Sequence, residues 1–185
     1  MDIRLYDIAM KKKIIINECN NNTVLRLVDY SDIELLRVWK NDNKKSFFYQ
    51  NEISQSQQKE WFNSYQTRED DFMFIIEEGV NKCHFPIGCM GFRIRDGYID
   101  LYNIIRGRKS VTGASIHGAM HMMLNYISLK YALPIRCDVL KGNSAVQWYL
   151  NCGFYILKDE EYFVMQIDKD KVEQMNLTIH EEDLL

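Results

Sequence analysis

The sequence predicts a mixed α/β domain of the α+β type, with helices flanking a mostly antiparallel sheet. Three observations carry this. Strand-like and helix-like runs follow the order strand, two helices, three strands, helix, strand, helix, two strands. Neighbouring strand candidates are joined by short turns, of which Asp96-Gly97 is the strongest hairpin signal. The helical runs carry apolar residues at helical spacing, as in Ile33, Leu35, Leu36, Val38 and Trp39.

In chain order, KKIIIN (11–16) and TVLRLVDY (23–30) are β-rich and read as a hairpin around the turn-like NECNNN. Ser31 or Asp32 is placed to cap a first helix, which Asn41-Asp42-Asn43 ends. Ser54 opens a second helix with Trp61, Phe62 and Tyr65 on its buried face. FMFIIEE (72–78), FPIGCMGFRIR (85–95) and YIDLYNIIRG (98–107) are three strands. A polar loop, RKSVTGAS (108–115), leads into a helix from about Ser115 to Tyr131, with Met120, Met123, Leu124 and Ile127 inward. PIRCDVLK (134–141) is a buried strand, GNSAVQWYLNCGF (142–154) holds a short helix, and FYILKD and EYFVMQID form a final hairpin. The chain divides into an N-terminal extension (1–22) with room for an extra strand, a domain (23–168), and a charged C-terminal tail (169–185) expected to be mobile or loosely docked.

Composition narrows the function. The net charge of −3 disfavours nucleic acid, which needs a basic face. No apolar run approaches a membrane span and no signal peptide is visible, so no membrane partner is expected. Five cysteines (Cys19, Cys83, Cys89, Cys137 and Cys152), an odd number without a C-x-x-C pair, read as reduced thiols in a cytoplasmic protein. Cys83 and Cys89, flanking Pro-Ile-Gly, read as packing residues. His117 and His121 sit four apart on a helix, a spacing metal ligands use. No acidic or cysteine partner falls at useful sequence spacing, so no metal is expected.

The strand–loop–helix at 98–131 is the first chemical signal. A helix N-terminus presents unpaired N–H groups and a positive dipole, which suits phosphate. Arg106, Arg108 and Lys109 add charge, and Gly107 and Gly113 let backbone approach a ligand. Tyr149 is the second signal: on residue chemistry it reads as a core aromatic or as a general acid.

VLKGNSAVQWYLNCGF settles which combination this resembles. Its Asn143, Ala145, Tyr149, Gly153 and Phe154 are similar to the late strand-and-helix segment of the GNAT family of acyl-CoA-dependent N-acetyltransferases. LRLVDYSDIELLRVW resembles the family's opening strand and helix, and PIGCMGFRI with YIDLYNII its central hairpin, so the likeness spans roughly 23–168. The resemblance implies a splayed mixed sheet with acetyl-CoA in the splay. It implies that Ile104 and Ile105 offer backbone groups to pantetheine, and that the 108–115 loop, including Thr112, Gly113, Ala114 and Ser115, holds the pyrophosphate. Asn143 would contact the CoA arm and Tyr149 would protonate the departing thiolate. SVTGAS departs from the family signature, with Ser110 in place of Arg or Gln and Ser115 in place of Gly or Ala.

The acceptor side is less specific. Strand alternation puts Asp100, Tyr102 and Ile104 on one face, so Asp100 or Tyr102 could meet the acceptor, with Glu77 and Glu78 as backup bases. By resemblance the helix–loop–helix of 31–66 forms the acceptor wall, with Trp39, Asn41, Phe47, Phe48, Tyr49 and Trp61. W-x-N followed by I-S-x-x-Q-x-x-x-W-F looks like the branches acting on nucleotide-linked amino sugars and on ribosomal-protein N-termini. Lys44 and Lys45 tilt the expectation toward a phosphate-bearing small-molecule amine. A peptide N-terminal acetyltransferase, a non-catalytic CoA-binding domain and a homodimer stay open.

Overall fold

The computed structural model describes residues 12–18, 22–113 and 115–183. Cys19, Ala114 and most of the N-terminal extension lie outside them. The strands are β1 (Lys12–Glu18), β2 (Thr23–Leu27), β3 (Asp71–Val80), β4 (Cys83–Arg95), β5 (Tyr98–Arg106), β6 (Ile135–Leu140), β7 (Tyr155–Asp159), β8 (Tyr162–Ile167) and β9 (Leu177–Asp183). The helices are α1 (Ile33–Asp42), α2 (Gln55–Gln66), α3 (Ile116–Lys130) and α4 (Ala145–Asn151). All nine strands join one sheet in the order β7-β8-β6-β5-β4-β3-β2-β1-β9. Every pairing is antiparallel except β5 with β6. Among the described residues no helix is long and apolar enough to cross a membrane.

Both faces of the central strands are covered, which explains their near-continuous apolar runs. Along β3, Phe72, Phe74 and Ile76 face a core shared with α3, while Met73 and Ile75 face one shared with α1 and α2. Ser115 starts α3 by accepting the Gly118 N–H at 2.9 Å. Ser54 starts α2 with a capping box closed by Gln57. The cap of α1 differs from expectation. Asp29, not Ser31 or Asp32, accepts the Ser31 N–H at 2.7 Å and opens a 3-10 turn over Tyr30–Asp32 that runs into α1. Asp32 makes no cap to α1, because its carboxylate is committed to the Asp29 N–H and to Arg26.

Part of the expected tail is a strand. β9 pairs with the whole of β1, from Lys12 opposite Asp183 to Glu18 opposite Leu177. Acidic residues there meet basic ones, with Glu182 3.8 Å from Lys13. Glu181 accepts from Tyr126 at 2.9 Å and from Lys130 at 2.8 Å, and Asn125 donates to the Glu173 carbonyl, so this segment docks on α3. These partners are remote in sequence, so charge alone gave no sign of them. Cys83 is exposed and does not pack, whereas Cys89, Cys137 and Cys152 are buried.

Arg26 ties β2 to the first turn and to β3. It binds Asp32 at 2.6 and 2.9 Å and Glu77 at 2.8 Å, and both carboxylates are buried. Replacing Arg26 with Met strands two buried anions. Urea denaturation of Arg26→Met is expected to show a loss of about 3 kcal/mol, the scale for removing one partner from a buried ion pair.

Candidate active site

The parallel contact of β5 and β6 is short. Ile99 opposes Ile135 and Asp100 opposes Arg136, and then the strands separate. The gap opens into a cleft of about 920 Å³, bounded by β5 from Asp100 to Arg106, by Asp138 and Val139 on β6, and by Asn143–Ala145, Trp148 and Tyr149 at α4. Its other wall comes from α1, α2 and the segment between them. The expected splay is thus present.

Alternation along β5 breaks inside the cleft. Asn103 adopts φ +50, and the register with β4 shifts so that Met90 faces two residues of β5. Tyr102 and Ile105 therefore pack on the α1/α2 side, while Leu101 and Ile104 pack on the α3 side. Strict alternation had put Tyr102 and Ile104 together, and the bulge separates them. Asn is among the residues that tolerate positive φ best. Lys40 Nζ bonds the Asn103 side-chain oxygen, and the Cys89 thiol lies 3.4 Å from the Asn103 carbonyl.

Tyr149 lines the cleft and is otherwise enclosed, edge-on to Trp148 at 5.0 Å and to Phe154 at 5.5 Å between ring centroids. Burial pushes its phenol well above the usual value, so it carries a proton at neutral pH. Asp100 also lines the cleft. Burial raises its proton affinity, and Arg93 at 4.0 Å and Arg95 at 3.8 Å oppose that rise. Tyr102 presents its ring to the cleft, but its hydroxyl donates to buried Asp71, and the Arg93 guanidinium lies 3.7 Å over the ring.

Several expected residues sit elsewhere. Trp39 is core: a Cβ on Gly107 would stand 1.9 Å from its indole, so Gly107 makes room for Trp39 rather than for a ligand. Asn41 latches the loop end, donating to the Ile53 carbonyl at 3.0 Å and accepting the Ile53 N–H at 2.8 Å. Asn143 lines the cleft, yet its amide accepts the Ala145 N–H and donates to the Ser46 carbonyl, joining the start of α4 to the segment between α1 and α2. Phe48 does line the cleft, half-exposed and edge-on to Tyr162. Glu77 and Glu78 lie outside it.

Glu78 is instead inside the 108–115 loop. Its buried carboxylate accepts from the Ser110 hydroxyl at 2.7 Å, the Val111 N–H at 2.9 Å, the Thr112 N–H at 3.2 Å and the Thr112 hydroxyl at 3.1 Å. Arg108 stands 3.6 Å away. The Ser110 hydroxyl is the main group holding Glu78 below the ordinary carboxylate range. The donors expected to cradle pyrophosphate thus face an internal anion. Gly113 follows at φ +86, with open space where a Cβ would stand. Lys109 is not among the residues that line the cleft.

Lys40, Phe47, Tyr49, Gln57, Trp61 and Arg93 also line the cleft. Lys40 was invisible as a site residue because it reads as the polar face of α1. Its ammonium lies 3.2 Å from the centre of the Phe47 ring, and burial lowers it to about 8.

A sheet opened between β5 and β6, bulged on β5 and bordered by a helix-bound tyrosine is the fold of the GNAT acetyltransferases, and the chain has that fold. No family model matches the sequence, and no curated protein does. Solved structures do match. A nucleotide-linked sugar GNAT, FdhC, is 23% identical over 82% of this chain and 89% of its own, with TM-score 0.66. Spermidine N-acetyltransferase from Vibrio cholerae, solved with CoA and spermine, is 18% identical over 82% and 98%, with TM-score 0.65. A GNAT-family acetyltransferase from Bacillus anthracis is 12% identical over 84% and 99%, with TM-score 0.66.

Lys40 loses its proton more readily folded than unfolded. Between about pH 8 and the ordinary lysine value of about 10.4 the unfolded chain holds more protons, so this residue makes stability rise with pH. Chemical denaturation across that window is expected to show the rise in the wild type and a flatter profile in Lys40→Met.

Proposed function

We propose that the chain is an N-acetyltransferase that moves acetyl from acetyl-CoA to a primary amine of a small molecule in a ternary complex. The observation that carries this is the cleft between β5 and β6, lined by a protonated Tyr149 and by Asp100. Beyond Asp100 no described strand lies beside β5 on that side, leaving its edge toward a pantetheine. Asp100 takes a proton from the ammonium form of the acceptor. The neutral nitrogen then bonds to the thioester carbonyl carbon, the C–S bond breaks, Tyr149 gives its proton to the departing thiolate, and the amide nitrogen sheds its surplus proton to solvent, from which Tyr149 is reprotonated. Most of the rate comes from holding amine and thioester in line.

The acceptor is a phosphate-bearing amine such as a nucleotide-linked amino sugar. Lys40, Arg93 and Arg106 line the cleft against two carboxylates, Asp100 and Asp138, a balance that favours an anion over a polyamine. Phe47, Phe48, Tyr49 and Trp61 offer flat faces to a sugar or base. The FdhC likeness agrees with this, and the spermidine enzyme supplies the contrasting acceptor class. The buried thiols favour a reducing compartment such as the cytoplasm.

Glu78 favours a second reading, a GNAT fold that does not turn over acetyl-CoA, because its carboxylate competes for the loop donors. Two measurements separate the readings. In Tyr149→Phe, turnover is expected to fall about 10²-fold while acetyl-CoA affinity stays near wild type. No acetylation of amino-sugar nucleotides, polyamines or peptides by the wild type would sink the enzyme reading. Glu78→Gln removes the like charge facing the pyrophosphate. Calorimetric titration is expected to show acetyl-CoA binding about fivefold tighter, the scale of one partly screened charge interaction.

A further inference from the structure

Outside the cleft, a cluster of three ligand-type side chains sits at the seam of α3 and α4. His117 and His121 occupy successive turns of one α3 face, and their Nε2 atoms lie 3.1 Å apart. Cys152 follows the last residue of α4, and its sulfur lies 3.4 Å from His117 Nδ1. One donor atom from each residue falls within 4.8 Å of the other two. The cysteine is buried, His121 is half-buried, and His117 is exposed.

We propose that His117, His121 and Cys152 form a binding site for a thiophilic divalent cation of the zinc class. Zinc takes imidazole nitrogens at about 2.0–2.1 Å and a thiolate at about 2.3 Å, so its tetrahedral ligands stand about 3.3–3.6 Å apart. The histidine pair already has nearly that separation. Drawing the sulfur in needs side-chain rotation of about an ångström, with water in the fourth position. Two imidazoles and one thiolate are the donor set that a borderline-soft cation prefers over magnesium or calcium. On ligation the thiol proton leaves to solvent and the sulfur–metal bond forms, with no change of oxidation state.

A bound cation would tie the start of α3 to the end of α4. Those are the elements that flank the 108–115 loop and Tyr149. His117 lies edge-on to Trp148 at 6.4 Å, and the Cys152 N–H donates to the Tyr149 carbonyl. The site is therefore one side chain removed from the proposed acid, and occupancy would hold α4 in place. The competing account is a chain of hydrogen bonds, Cys152 to His117 to His121, that needs no ion.

Cobalt(II), a spectroscopic stand-in for zinc, separates the two. The full-length protein, reduced and stripped with chelator, is titrated with cobalt and then zinc. The site predicts tetrahedral visible bands and a thiolate-to-cobalt charge-transfer band that saturates at one equivalent and is bleached by zinc. Cys152→Ser should lose the charge-transfer band, and Cys83→Ala, which removes an exposed thiol elsewhere, should keep it. His121→Gln should weaken zinc at least about 100-fold, since losing a mere supporting contact already costs 10–100-fold. Circular dichroism of each apo variant reports its fold, and the wild-type spectrum decides the matter if a variant does not fold. Absence of the charge-transfer band in the wild type, or its survival in Cys152→Ser, overturns the proposal.

Discussion

Two residue pairs, Ile99–Ile135 and Asp100–Arg136, make up the ladder between β5 and β6, and the rest of the molecule is arranged around the place where that ladder stops. A sheet interrupted at its centre leaves backbone groups that the fold itself does not pair, and an unpaired buried backbone group is costly. The gap is therefore a place where a ligand's polar groups are favoured. The Asn103 bulge re-aims β5 just past the last pair, sending Ile104 toward α3 and Ile105 toward α1. Lys40 then bonds α1 to the bulge, linking the helical wall of the cleft to the sheet.

Burial acts on the titratable groups of the cleft in one direction, toward neutral forms. Asp100 holds its proton more tightly, Lys40 less tightly, and Tyr149 keeps its own. A site that favours neutral forms fits the proposed transfer, in which a neutral amine attacks and Tyr149 still holds a proton when the leaving group departs. The loop before α3 works oppositely. It is arranged for an anion and holds one, Glu78, supplied by the neighbouring strand β3. Any incoming phosphate meets a loop whose polarity is right and whose donors are engaged.

Local pattern was enough for most of the fold. The hairpin at Asp96-Gly97, the Ser54 and Ser115 caps, the inward face of α3 and the buried run of β3 follow from side-chain period and capping chemistry, which act within a few residues. Tyr149, Asp100, Tyr102 and Phe48 were legible as cleft residues because motif and strand position mark them. Trp39 and Asn41 carried the same kind of mark and proved to be structural, since an aromatic or an amide can fill space or cap backbone as readily as bind.

By itself, then, the sequence determined the order and type of the elements, the mixed sheet, and the helix that carries Tyr149. These rest on interactions between residues close in the chain. Only the tertiary structure decided which polar groups meet. It brought Glu78 to Ser110 across 32 residues, Cys152 to His117 across 35, Glu181 to Tyr126 across 55 and Lys40 to Asn103 across 63. Such pairings have no sequence period, because they are set by where packed layers place the ends of side chains.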